Sequence, residues 1–144
     1  MIVTFCGHRQ VEDSEKIACQ LAETLEMLAA EGADVFFLGG RGEFDRLAAR
    51  AVHALKQRHP HIRAVLVLSY LNRPQHETER ELYDETLYPP LESVPKRFAI
   101  ARRNTWMAEQ ADVLVTYVRR GYGGAAAMLQ HAQRKGKRIL PVQD

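Results

Sequence analysis

Three short segments of the sequence combine glycine with arginine, a combination suited to binding a phosphorylated ligand. They are CGHR at residues 6–9, GGRGE at residues 39–43 and RRGYGG at residues 119–124. Glycine lets the main chain approach a ligand closely, and arginine binds phosphate or carboxylate groups through paired hydrogen bonds. One such loop is more often only a tight turn, but three loops at one edge of a sheet favour a binding site.

The elements that position these loops follow an alternating pattern of strands and helices. Strand patterns cover residues 2–6, 34–38, 63–70, 112–118 and 138–142, and helical patterns cover residues 14–31, 43–59, 96–110 and the alanine run after Gly124. The strands are continuously apolar, which indicates burial on both faces. The sequence therefore predicts an α/β fold, a Rossmann-like three-layer sandwich with a parallel sheet of about five strands in the order 3-2-1-4-5.

This strand order reverses between the first and fourth strands, and open parallel sheets bind ligands at that point, beyond the carboxyl ends of the strands. Two of the three loops also lead into helix N-termini, whose free N–H groups and dipole favour anions. The first loop is not G-x-G-x-x-G and the chain has no G-x-x-x-x-G-K-[ST], so a dinucleotide or P-loop site is not expected. A single nucleotide, a sugar phosphate or a similar anion fits better.

Length and composition limit the remaining possibilities. The 144 residues form one predicted domain, 1–144, interrupted by a long inserted loop at about residues 71–94. The net charge of +2 makes nucleic acid an unlikely partner on general electrostatics. No apolar run is long enough to span a membrane and the start does not read as a signal peptide, so we expect a cytoplasmic protein. Neither cysteines nor histidines have metal-ligand spacing, so no metal and no cofactor are expected.

Four stretches of the chain resemble the SLOG superfamily. They are VTFCGHR, FFLGGRGEFDRLAARAV, RRNTWMAEQADVLVTYV and GYGGAAAMLQHAQRKGKRI, and together they cover most of the chain. That superfamily includes the Lonely Guy phosphoribohydrolases and the DNA-processing Smf/DprA proteins. The stretches YDETLYPPLE and RRNTWM are most similar to a short bacterial branch related to YpsA. The resemblance implies a Rossmann-like fold, a nucleotide-like ligand and, because homodimers are common among SLOG relatives, a homodimer or higher homo-oligomer.

The resemblance also implies which residues bind the ligand. Residues 6–9 and 39–42 correspond to the family's first two glycine loops, and Arg103, Asn104 and Met107 fall on its R-K-x-x-M helix. In the later P-G-G-x-G-T-x-x-E motif, Gly121 and Gly124 match glycines and Ala125 replaces threonine. The predicted ligand-binding residues are Gly7, His8, Arg9, Gly39, Gly40, Gly42, Glu43, Arg103, Asn104, Gly121, Tyr122, Gly123, Gly124 and Ala125.

The same motif departs from the family at the residue that matters most for catalysis. Arg120 stands in place of its proline, Tyr122 in place of a glycine, and Met128 in place of its catalytic glutamate. Cleavage of an N-glycosidic bond requires a carboxylate, and methionine cannot replace one. The candidates for a substitute are Glu43, Asp45 and Asp84. The alternative role of Glu43 and Asp45 is helix capping, and that of Asp84 is a place in an ordered flap or a dimer contact formed by the long loop.

Three functions follow as hypotheses. The first is a nucleotide- or nucleotide-sugar-phosphate-binding protein, a sensor or carrier, with the ligand at the C-terminal edge of the sheet. The second is an N-glycosidase, phosphoribohydrolase or deoxyribosyltransferase that uses one of the substitute carboxylates. The third, by analogy of fold alone, is a module that binds a protein or single-stranded DNA. Whether the protein is an enzyme is left open by the sequence. Cys6 is expected to be a core residue and not a nucleophile.

Overall fold

A parallel β-sheet covered by helices on both faces forms the framework of the protein in the computed structural model, which describes residues 1–71 and 79–142. The strands are β1 (Ile2–Gly7), β2 (Val35–Leu38), β3 (Arg63–Val67), β4 (Glu85–Leu87), β5 (Val113–Tyr117) and β6 (Arg138–Pro141). The helices are α1 (Ser14–Ala30), α2 (Glu43–Arg58), α3 (Ala99–Gln110) and α4 (Gly124–Arg134). Short 3₁₀ helices occur at Arg80–Leu82 and Lys96–Phe98, the second leading directly into α3.

The strand order is β4-β3-β2-β1-β5-β6, and every neighbouring pair is parallel. The chain moves outwards from β1 to β4 on one side and then crosses back to β5 on the other. The order therefore reverses between β1 and β5, as the sequence predicts. The five expected strands keep their predicted 3-2-1-4-5 arrangement, with one additional strand at the edge.

Two apolar layers follow from the alternation of side chains along each strand. Phe5 and Phe36 point to the face covered by α1 and α2, while their neighbours Cys6 and Phe37 point to the face covered by α3 and α4. The first layer includes Leu21 and the second includes Met128. Because both faces of the sheet are covered, the central strands are apolar at successive positions.

The additional strand β4 lies within the segment that the sequence analysis expected to be a loop. Its first neighbour, Asp84, donates its main-chain N–H to the carbonyl of Ala64 and accepts the Ala64 N–H through Oδ2, at 2.8 and 2.7 Å. Lys56 on α2 forms an ion pair with the same carboxylate. These contacts fix a three-residue strand that has little apolar pattern of its own. Residues 72–78 of the expected loop lie outside the described residues.

Among residues 1–71 and 79–142, none of the helices combines the length and the apolar character needed to cross a membrane.

Candidate functional site

A cavity of about 280 Å³ opens at the carboxyl ends of β1 and β5, at the point where the strand order reverses. It lies between the loop after β1, the start of α4 and the inner face of α3. Its lining residues are Phe5, Cys6, Gly7, His8, Arg9, Arg41, Asp45, Ile100, Arg103, Asn104, Met107, Arg120, Gly124, Ala125 and Met128. The predicted edge of the sheet therefore does contain a cavity, and residues from all three glycine-bearing loops border it.

The start of α4 forms a wall of this cavity that is made of main chain. Gly123 precedes the helix with φ of 94°, and Gly124 and Ala125 line the cavity. Within the described residues, the N–H groups of Gly124, Ala125 and Ala126 have no hydrogen-bond acceptor. The first turn of α4 carries no acidic side chain. Free N–H groups at the positive end of a helix dipole attract anions, so this wall suits a phosphate or carboxylate.

The start of α2 differs from the start of α4, because the first two N–H groups of α2 already have acceptors in the loop after β1. The N–H of Glu43 donates to the carbonyl of Arg9 at 2.8 Å, and the N–H of Phe44 donates to the carbonyl of His8 at 3.4 Å. The Glu43 carboxylate accepts the N–H of Val11 at 2.7 Å. The loop after β1 thus packs on the amino end of α2, and the Glu43 side chain holds that loop through Val11, outside the cavity.

Arg103 is buried with 3% of its surface exposed, and its guanidinium joins the ends of two strands. Its Nη1 donates to the carbonyls of Gly39 and Val67 at 3.0 and 2.8 Å, and its Nε donates to Asn104 Oδ1 at 3.0 Å. Burial lowers the pKa of Arg103 to about 10, and the nearby Asp45 carboxylate opposes that shift. The side chain stays cationic at neutral pH. It both borders the cavity and holds the carboxyl ends of β2 and β3 in place.

Asp45 contributes the cavity's carboxylate. Its Oδ2 accepts the main-chain N–H of Arg41 at 3.3 Å, and a side chain at Gly39 would fall 3.0 Å from the same oxygen. Burial raises the pKa of Asp45 to about 6, against the opposing effects of Arg103 and of the Arg41 hydrogen bond. The group can therefore exchange a proton near neutral pH, which is the property that acid–base chemistry requires.

The other two candidate carboxylates do not border the cavity. Glu43 is turned towards Val11, as described above. Asp84 contacts Ala64, near the amino end of β3, and Lys56. Because the cavity lies at the carboxyl ends of the strands, Asp84 is away from it, and its candidacy as a catalytic residue stays a prediction without support from this cavity. Its carboxylate is used as a structural anchor for β4.

His8 and Cys6 both have roles that the loop geometry explains. His8 Nε2 accepts the N–H of Arg119 at 2.8 Å. The pKa of His8 is lowered, mainly by burial and further by the positive charges of Arg120 and Arg119. The neutral ring thereby ties the loop after β1 to the loop after β5. The Cys6 thiol donates to the carbonyl of Ala125 at 3.0 Å, and burial together with Asp45 raises its pKa to about 12. A thiol with that pKa is not a nucleophile, in agreement with its expected core role.

Several predicted ligand-binding residues shape the loops without lining the cavity. These are Gly39, Gly40, Gly42, Glu43, Gly121, Tyr122 and Gly123. Tyr122 is 73% exposed, and the Arg120 guanidinium lies 5.2 Å from the centre of its ring. Conversely, Arg41, Ile100 and Arg120 line the cavity but were not among the predicted ligand-binding residues. Arg41 stands between two loop glycines, and Ile100 precedes Arg103 by one helical turn, so both signals were present in the sequence.

Met128 lies at the floor of the cavity with 4% of its surface exposed. It packs with Cys6, Leu114 and Ala132 in the apolar layer under α3 and α4. Its thioether can neither take up a proton nor stabilise a developing cation by charge. Within the part of the chain that the structure describes, no group of three or more histidine, cysteine or acidic side chains is arranged to hold a metal ion.

A second cavity of about 290 Å³ lies beyond the end of β3. Ser69, Tyr70 and Leu71 line it together with Tyr88, Leu91, Glu92, Val94, Lys96 and Ala99. The Arg41 guanidinium lies 5.8 Å from the centre of the Tyr70 ring, so one arginine of the first cavity contacts a wall of the second. The described part of the long segment therefore packs beside the carboxyl ends of the strands, next to the first cavity.

Comparison with solved structures places this architecture among Rossmann-like proteins. DprA from Streptococcus pneumoniae superimposes with a TM-score of 0.69 at 16% identity, covering 99% of this chain and 50% of the other. DprA from Helicobacter pylori, described for its single-stranded DNA binding mode, gives 0.71 at 17% identity, covering 100% of this chain and 66% of the other. The Moco carrier protein from Chlamydomonas reinhardtii gives 0.60 at 17% identity, covering 98% of this chain and 74% of the other.

These likenesses define the class of fold: the chain shares the Rossmann-like fold of the DprA proteins and the Moco carrier protein, and the fold implied by the sequence resemblance is confirmed. The chain spans about half of the length of the pneumococcal protein. No protein-family model matches the sequence, and no curated protein sequence matches it significantly. The relation to the YpsA branch stays a prediction.

Proposed function

We propose that the protein binds a nucleotide or nucleotide-sugar phosphate in the cavity at the end of β1, as a sensor or carrier, without efficient cleavage. The observation that carries this proposal is the start of α4, where three N–H groups have no acceptor among the described residues and Gly124 and Ala125 line the same cavity as Arg9 and Arg120. The ligand's phosphate is placed against Gly124 and Ala125. Arg120 and Arg9 supply the positive charge around it.

The size and floor of the cavity support a small ligand that is held and not cut. A volume of about 280 Å³ is near the lower end of ordinary small-molecule pockets, which begin at about 300 Å³. Met128 provides an apolar floor at the position where the resemblance implies a catalytic glutamate. The Chlamydomonas neighbour, a Moco carrier protein, is an example of this fold in a carrier.

Isothermal titration calorimetry with AMP, ribose 5-phosphate and adenosine tests this proposal. We expect the two phosphorylated compounds to bind and adenosine to bind much more weakly, because the phosphate is the group that the cavity recognises. Arg120→Ala should weaken AMP binding by about tenfold, the effect of one lost charge-assisted hydrogen bond. Arg134→Ala, at the far end of α4, is the matched control and should leave binding unchanged. Absence of AMP binding at millimolar concentration would refute the proposal.

A hydrolytic function remains the second candidate, because Asp45 lies in the cavity with a pKa of about 6. In this alternative the Asp45 carboxylate stabilises the cationic transition state of N-glycosidic cleavage in place of the missing glutamate. Incubation with nucleoside monophosphates should then release free base, measured by chromatography, and Asp45→Asn should abolish that release. Asp84→Asn serves as the control and should retain it. Equal release from wild type and Asp45→Asn would exclude Asp45 from the chemistry.

Binding of single-stranded DNA is the third candidate, and its support is the fold shared with the Helicobacter pylori protein. Arg119, Arg120 and the exposed ring of Tyr122 supply charge and a stacking surface at the site edge. The net charge of +2 opposes strong non-specific binding. The likeness to the DprA proteins nevertheless contests the expectation that nucleic acid is no partner, and that expectation stays a prediction.

A further inference from the structure

A third cavity, of about 360 Å³, lies beside the first one and is lined by Arg9, Arg41, Gly42 and Arg46. Arg9 and Arg41 border both cavities. The two spaces are therefore separated by side chains and not by a layer of the fold. A molecule anchored in the first cavity can extend past these two arginines into the third.

Within the part of the chain that the structure describes, the charges of these arginines have no carboxylate partner. Among residues 1–71 and 79–142, no carboxylate forms an ion pair with Arg9, Arg41 or Arg46. The acidic side chains nearest in sequence to Arg41 and Arg46 form other hydrogen bonds. Glu43 accepts the Val11 N–H, and Asp45 accepts the Arg41 main-chain N–H beside Arg103.

Four other arginines of the described residues do have a carboxylate partner. Arg50, Arg58, Arg63 and Arg138 each form an ion pair with a glutamate. Arg50 is especially informative, since it follows Arg46 by four residues on α2 and its guanidinium contacts Glu79. Arg46 and Arg50 thus lie one turn apart on α2, but among the described residues only Arg50 has a carboxylate partner.

The main chain that carries the arginines is also fixed. The Glu43 N–H donates to the Arg9 carbonyl at 2.8 Å, which joins the loop after β1 to the start of α2. A Cβ added to Gly42 would lie 2.9 Å from the Arg9 Cα. The two loops therefore pack at van der Waals contact, and this arrangement places the arginines in advance of ligand binding.

We propose that Arg9, Arg41 and Arg46 form a second anion subsite, so that the ligand carries two phosphate groups. The first phosphate lies against α4, and the second lies in the third cavity, with Arg9 and Arg41 between them. This inference rests on the proposed function for its first phosphate. The predicted ligand contains a nucleotide with two separated phosphates. Both a nucleoside bisphosphate and a short single strand of nucleic acid have this feature.

Calorimetry with AMP, adenosine 3′,5′-bisphosphate and the 5′-phosphorylated dinucleotide pApA tests the subsite. We expect at least one of the two diphosphorylated probes to bind about tenfold more tightly than AMP. Arg46→Ala should remove that gain and leave AMP binding unchanged. Arg50→Ala on the same helix is the matched control, because its charge is already paired with Glu79. The probe with the larger gain identifies the source of the second phosphate.

Failure of this inference is distinguishable from failure of the proposed function. Equal affinity of the wild type for all three probes would overturn the second subsite while leaving AMP binding intact. An Arg46→Ala variant that weakens AMP and both other probes to the same extent would also overturn it. If AMP does not bind but a diphosphorylated probe binds in an Arg46-dependent way, the subsite stands and the single-phosphate cavity does not. Absence of binding by every probe would reject both.

Discussion

Asp45 and Arg103 bring two opposite charges to one wall of the cavity, and burial moves both pKa values towards the neutral forms. Arg103 has a pKa of about 10 and stays charged at neutral pH, whereas Asp45 has a pKa of about 6. A phosphate entering the cavity meets an aspartate that loses its negative charge below about pH 6. Protonation of Asp45 therefore removes a repulsion from the site without removing Arg103.

We expect this raised pKa to appear in the dependence of stability on pH. The ordinary pKa of the aspartate is 3.8, so below about pH 4 the group is neutral in both folded and unfolded chains. Above about pH 6 it is ionised in both, and its burial then disfavours the folded state. The advantage of Asp45→Asn over wild type should increase by about 1–2 kcal/mol between about pH 4 and pH 6.

Urea denaturation of the two proteins across this pH range measures that difference. Glu23→Gln, on the exposed face of α1, is a control for the general effect of removing a carboxylate. A flat difference between about pH 4 and pH 6 would show that Asp45 does not titrate with a raised pKa in the folded chain.

Residue types predicted the end of the sheet at which the structure has a cavity, but not the orientation of the side chains around it. Glycine and arginine after three strands predicted the correct edge of the sheet. Glu43, Asp45 and Asp84 could not be separated, because their difference arises from tertiary contacts. Glu43 reaches Val11 and Asp84 reaches Ala64, and both partners are distant in sequence. Asp45 alone of the three lines the cavity.

At the scale of elements, the loop after β1 and the start of α2 behave as one unit. Gly42 precedes α2 with φ of 89°, a conformation that other residues rarely adopt, and it packs on the Arg9 main chain. Among the described residues, the start of α4 consequently keeps three N–H groups without an acceptor, whereas the start of α2 keeps that of Asp45. One helix start is used to hold the loop, and the other is left open.

Gly42→Ala should destabilise the protein by about 2–4 kcal/mol, since the new methyl group adds a steric contact to an unfavourable φ. Gly121→Ala is the matched control, because a Cβ at Gly121 meets no atom within 4 Å. Thermal unfolding followed by circular dichroism measures both. Equal melting temperatures for the two variants would contradict the packing of Gly42 against Arg9.

Most elements of the fold follow from the sequence because their patterns are long. The helix at Ser14–Ala30 and the strand at Val113–Tyr117 agree with their predicted positions to within one residue. β4 could not be predicted in this way. It contains Glu85, Thr86 and Leu87, of which only the last is apolar, and its position depends on the contacts of Asp84. A strand held by its neighbours leaves little periodic signal.

For the whole molecule, the carboxyl ends and the amino ends of the strands have different roles. The carboxyl edge contains the arginine-lined cavities, whereas near the amino end of β3 the contact of Asp84 with Lys56 and Ala64 secures β4. We expect changes at one end to have little effect on the other, since the cavity lining and the contacts of Asp84 share no residue.

Asp84→Ala should destabilise the protein by about 1–3 kcal/mol, because it leaves the Ala64 N–H without its acceptor and Lys56 without its partner. AMP affinity, measured by calorimetry at a temperature where the variant is folded, should equal that of wild type. Glu81→Ala, an exposed neighbour, is the control for stability. A folded Asp84→Ala protein with weakened AMP binding would show that the two ends are coupled.

The wall formed by residues 123–127 consists of two glycines and three alanines, so its polar groups all belong to the main chain. Mutation can replace a side chain, but it cannot delete a main-chain N–H except by introducing proline. Affinity for an anion at this wall is therefore a durable property, which substitutions elsewhere in the sequence need not disturb. Changes in which anion is preferred must arise from the adjustable residues around it, above all Arg41, Asp45 and Arg120. A chain of this kind can change its ligand preference through substitutions at those residues, while the main-chain wall at residues 123–127 stays the same.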